Sequence, residues 1–124
     1  MVYFLGGKNI FINLLIILIN NIMGNKLFDQ YTYLHFAVGI VVYFWNISFI
    51  NWIILHTIFE ILENTKFGMK IINKYMIFWP GGKPKADNIL NNIGDTFGAI
   101  IGWLSAYYLD NIGKKLNWYD LHIN

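Results

Sequence analysis

The stretch from His56 to Asn64 carries an imidazole, two carboxylates and an amide at helical spacing. At about 100° per residue, His56, Glu60 and Glu63 fall within about 60° of one another, with Asn64 at the margin of the same stripe. A second set, Asp87, Asn91 and Asp95, recurs every four residues and shares its side with Gly94, Gly98 and Gly102. His35 lies earlier in the chain, on a face with Gly39. If the helices associate through these polar faces, His35, Glu60, Glu63, Asn91 and Asp95 meet in one pocket. Imidazole with carboxylates suits a divalent cation, or a general acid/base pair whose pKa values are raised by burial. The metal candidates are Glu60, Glu63, Asp95, His35 and His56. In an acid/base scheme Glu60 or Asp95 is the base and His35 the acid. Asn64 and Asn91 are then orienting amides, and Glu63 and Asp87 line a substrate-binding or structural polar site.

The elements that must position these groups are apolar. Of 124 residues, 56% are hydrophobic, 19% aromatic and only 13% charged, well under the roughly 25% charged of an ordinary soluble domain. The expected fold is all-α, an integral membrane bundle of about four transmembrane helices at about 10–24, 31–46, 48–64 and 87–109. A bilayer core takes about 20 apolar residues, a length that only the stretch 89–109 meets comfortably. The run from Tyr33 to Phe59 has no charged residue and breaks at Asn46–Ser48 into a hairpin. Between the last two spans, Lys66, Lys70 and Lys74 recur every four residues opposite Phe67, Ile71 and Tyr75. This predicts an amphipathic interfacial helix over 66–79, its lysines touching anionic headgroups. Pro80–Pro84 then breaks the chain, and Asp87 is the expected N-cap of the final helix. The glycine row is the small-xxx-small pattern that lets helices approach closely.

The segments "FEILENT" (59–65) and "ADNILNNIGDTFGAIIGW" (86–103) resemble a family of small bacterial multi-pass membrane proteins with the pattern W-E-x-x-E-N, then G-D-S-x-x-N-S-x-x-D and a glycine. More distantly the chain is similar to VanZ-like proteins. Glu60, Glu63, Asn64, Asp87, Asn91 and Asp95 match position by position, and His35 with Gly39 matches an early histidine segment. Phe59 stands in place of the pattern's Trp, Ala86 of its Gly, and Asn88 and Asn92 of its serines. The resemblance implies a membrane location and work at the cell envelope, and it brings no reaction with it.

Several function classes are excluded. The net charge of +2 is too small and scattered for nucleic-acid binding. With no cysteine there are no thiolate ligands or nucleophiles. GxxxxGK[ST], HExxH and GxSxG are all absent. Three expectations remain. The first is a polar site acting on a lipid-linked or headgroup substrate, with a divalent cation as the cofactor to test. The second is a scaffold in which the cluster only locks helices together. The third is a small cation or proton conductor, which needs a homo-oligomer to form a pore.

Overall fold

The structure, a computed structural model, describes residues 24–79 and 82–118. Among these, four helices form and no strand. They are α1 (Gln30–Phe44), α2 (Phe49–Glu63), α3 (Lys66–Tyr75) and α4 (Ile89–Lys115). Each begins at a side chain that satisfies otherwise orphaned backbone N–H groups. Asp29 accepts from the Tyr31 and Thr32 amides, and the Thr32 hydroxyl oxygen accepts from Asp29 N–H, completing a capping box before α1. Ser48, Thr65 and Asn88 cap the other three. The N-cap of α4 is thus Asn88, not Asp87, whose carboxylate is engaged elsewhere. The turn between α1 and α2 passes through Asn46 at φ 61°, a left-handed conformation that asparagine tolerates.

Among the described residues α1 packs most extensively on α4, with backbone against backbone. The carbonyl groups of Leu27, Thr32 and Phe36 lie over Gly94, Gly98 and Gly102 respectively. A Cβ at Gly98 would stand 2.7 Å from the Thr32 carbonyl oxygen, and one at Gly94 or Gly102 would collide outright. Indole N–H groups tie α2 and the turn before it to this pair. Trp52 donates to Ala99 O at 3.0 Å, and Trp103 donates to Ile47 O at 2.9 Å. Val42, Trp52 and Ala99 make a small apolar core. Beside it, Asp29, His35, His56, Glu60, Glu63, Lys83, Asn91 and Asp95 are also buried, while Tyr33, Phe44, Ile61, Ile89 and many other large apolar residues are exposed.

The bilayer-spanning architecture expected from composition is corrected. Among the described residues no helix is long and apolar enough to cross a membrane. At 15 residues each, α1 and α2 reach roughly 22 Å, short of the ~30 Å hydrocarbon core. With 27 residues α4 is long enough, but Asn91, Asn92, Asp95 and its glycines dilute its apolar character. A four-span integral bundle, transmembrane helices and a multi-pass membrane location are therefore not supported. The expected helix at 10–24 lies, except for Gly24, outside the described residues. The amphipathic segment expected over 66–79 is helical over Lys66–Tyr75, with Ile72 buried and Lys66, Lys70 and Lys74 exposed.

The glycine contact generates a prediction. Gly94→Ala and Gly102→Ala should each destabilise the fold by about 1–3 kcal/mol through overpacking, read from chemical unfolding followed by circular dichroism. Wild-type stability in both variants would contradict backbone contact along this row.

Candidate metal centre

The polar interior divides into two adjoining groups that share Glu60. The first joins α1 to α2. His35 Nε2 lies 3.6 Å from Glu60 Oε1, and His56 Nε2 lies 3.5 Å from the same oxygen. The two imidazoles meet edge to face, with ring centroids 5.1 Å apart. Helical spacing on α2 puts His56 and Glu60 one turn apart, with Trp52 a turn earlier and its ring packed on His56. From α4, Asp95 Oδ2 approaches His35 Nε2 at 3.5 Å, while its Oδ1 accepts a 2.7 Å bond from the Thr32 hydroxyl. The second group centres on Lys83. Its Nζ donates to Glu63 Oε1 at 3.1 Å and also contacts Asp87 Oδ2.

Satisfaction of these groups is uneven. Asn91 Nδ2 donates to Lys26 O at 2.7 Å, which fixes the chain before α1 against α4. Asn64 accepts from Asp87 N–H at 2.7 Å and donates to Glu60 O at 2.8 Å. By contrast, His56 Nε2 and both carboxylate oxygens of Glu60 are buried with no hydrogen-bond partner. At 3.5–3.6 Å, the approaches around Glu60 Oε1 are too long for direct hydrogen bonds. An unsatisfied buried polar group costs about 1–3 kcal/mol, more when charged.

Burial also sets the protonation states. It pushes His35 down to about 3, helped by the nearby His56 and Lys83, and His56 down to about 4. Both imidazoles are neutral near pH 7, the form that ligates metals. Burial raises Glu60 to about 9, reinforced by Glu63 and Asp95, and raises Asp95 to about 7 against the opposing Thr32 hydrogen bond. For Lys83, burial disfavours the ammonium, but Glu63 and Asp87 outweigh it and hold the pKa above the ordinary lysine value.

His35, His56 and Glu60 each offer a ligand atom within 4.8 Å of the others. Atoms bound tetrahedrally to zinc at ~2.0–2.1 Å lie ~3.3 Å apart. The observed approaches of 3.5 and 3.6 Å to Glu60 Oε1 are therefore close to those of a tetrahedral set. A cavity of about 10 Å³, lined by His35, Asp95, Glu63 and Lys83 among others, adjoins the cluster. Its size is about that of one water.

No family model, curated protein or solved structure matches the chain. The site is accordingly read from its own geometry.

Of the residues singled out by sequence, His35, His56, Glu60 and Asp95 converge, and Glu63 and Asp87 lie beside them around Lys83. The Asn64 and Asn91 side chains bond mainly backbone groups, Asn64 at Asp87 N–H and Glu60 O and Asn91 at Lys26 O. Gly94, Gly98 and Gly102 form the packing surface, and Lys66, Lys70 and Lys74 lie on the exposed face of α3. Sequence reasoning missed Lys83 and Thr32. The four-residue spacing from Lys83 to Asp87 was the available signal for the first. For the second it was the capping-box spacing from Asp29 to Thr32.

A pH dependence follows for protein held in chelator. Glu60 and Asp95 have folded values of about 9 and about 7, above the ordinary 4.5 and 3.8. Their contributions to stability are complete below those ordinary values and are lost as pH rises through the folded ones. His35 and His56 run the other way. Their contributions are present above pH 6.5 and are lost as pH falls towards about 3 and about 4. Around Glu60 the groups that set this balance are His35, His56, Glu63, Asp95, Lys83 and Asp87. The melting temperature should fall between about pH 7 and 9, and Glu60→Gln should remove most of that fall in thermal melts. An unchanged alkaline slope in the variant would contradict the assignment.

Proposed function

We propose that the chain is a divalent-metal-binding protein whose centre is formed by His35 Nε2, His56 Nε2 and the Glu60 carboxylate. Asp95 stands beside His35 as a fourth ligand or as the acid/base for a bound water. The observation that carries this reading is the set of orphaned atoms, His56 Nε2 and both oxygens of Glu60, in the interior of a polar cluster. A cation would give all three a partner. A dication would also balance charge once it displaces the Glu60 proton, since two neutral imidazoles and the carboxylates of Glu60 and Asp95 then match it. Two imidazoles with one carboxylate, leaving a coordination position for water, is a ligand set used for metal-assisted hydrolysis. Hydrolysis or group transfer is therefore the chemistry to which the site is suited.

A second reading, a structural polar lock, is favoured for Asp29, Asn64 and Asn91, whose side-chain hydrogen bonds go largely to backbone groups. It does not account for Glu60. The motif resemblance adds the proposal that Glu60, Glu63, Asn64, Asp87, Asn91 and Asp95 are a shared set.

The test is chelator competition with Zn²⁺ on the purified chain. One equivalent should bind, and Glu60→Gln and His56→Ala should each weaken it by at least about 100-fold, beyond the 10–100-fold typical of outer-shell changes. Lys70→Gln, on the exposed face of α3, should leave it unchanged. Wild-type affinity in Glu60→Gln with helix content retained would overturn the metal reading.

A further inference from the structure

The group around Lys83 has the form of a cation site that already contains a cation. Glu60, Glu63 and Asp87 each present a carboxylate oxygen within 4.8 Å of the others. Glu63 is only 3% exposed and Glu60 5%. Both Glu60 oxygens lack a hydrogen-bond partner, so the acidic cluster contains a buried acceptor that its own members leave unsatisfied. Lys83 Nζ bridges Glu63 and Asp87, and the lysine is itself 7% exposed.

This placement is held from outside the cluster. Asn73 of α3 grips the Lys83 backbone in both directions, accepting from its N–H at 2.6 Å and donating to its carbonyl at 2.8 Å. Asn64 fixes Asp87 through the backbone N–H. An ammonium is a compact point charge with three donors, well suited to stand among carboxylate oxygens. Oxygen ligands of this kind also hold hard divalent cations.

We propose that the Lys83 ammonium occupies the second position of a two-cation centre whose positions share the Glu60 carboxylate, and that removing the lysine charge admits a divalent cation there. The first position rests on the metal reading given above, while the second is testable without it. Lys83 then acts as a built-in counter-ion that keeps the centre mononuclear.

The experiment counts Mn²⁺ bound to the full chain by equilibrium dialysis, comparing wild type with Lys83→Met and Lys83→Gln. Each variant should hold one more ion than wild type, and Lys83→Met combined with Asp87→Asn should lose that gain. No gain in either variant overturns the proposal. Wild type without metal and variants with one ion would sink the metal reading and leave the Lys83 inference standing. One ion in all three would do the reverse. A variant that folds only with Mn²⁺ present, and then carries the additional ion, supports the proposal equally. If neither variant folds even with Mn²⁺, the ion does not replace the ammonium and the proposal fails.

Discussion

The approach of α1 and the segment just before it to the glycines of α4 fixes the distances on which the polar interior depends. Because Gly94, Gly98 and Gly102 present no Cβ, the carbonyl groups of Leu27, Thr32 and Phe36 come down onto the helix itself. Thr32 is thereby brought onto Asp95, and His35, one turn further along α1, reaches both Asp95 and Glu60. A methyl group at any of these glycines would move α1 outwards and take His35 with it. Packing and site geometry are set by the same contact.

Among the described residues the interior is unusually polar beside its small apolar core. Carboxylates, imidazoles, an amide and a lysine occupy the interior, while large aliphatic and aromatic side chains remain exposed. Burying polar groups is tolerable only when they are paired. Many of these are, Asn91 through Lys26 O, Asp95 through Thr32, and Glu63 through Lys83. The deficit is concentrated at Glu60 and His56, and it is on this deficit that the proposed metal centre rests. Glu60 is central to both groups because one carboxylate faces the histidines on one side and the Lys83 cluster on the other.

Much of the helical character was legible in the sequence, because apolar runs and helical periodicity are local, although the cap of α4 falls one residue later than expected, at Asn88 and not Asp87. The common face of His56, Glu60 and Glu63 is likewise a matter of helical arithmetic. The bounds of α1 and α2 lie within two residues of those the sequence suggests, 31–46 and 48–64; what an apolar composition obscures is that 15-residue helices fall short of a bilayer core. Lys83 was obscured for a different reason. It sits in an irregular segment positioned by Asn73 and Asn64, and such hydrogen bonds leave no periodic trace. Asn91 shared a face with Asp95 by spacing, yet its partner is a backbone carbonyl before α1, which a pattern of side chains does not reveal.

The central claim is that His35, His56 and Glu60 converge on one cation, and X-ray absorption at the zinc edge of the chain loaded with a single equivalent tests it most directly. The account predicts a first shell of nitrogen and oxygen at ~2.0–2.1 Å with outer-shell scattering from two imidazole rings, one ring being lost in His35→Ala. An all-oxygen shell without imidazole scattering would contradict it.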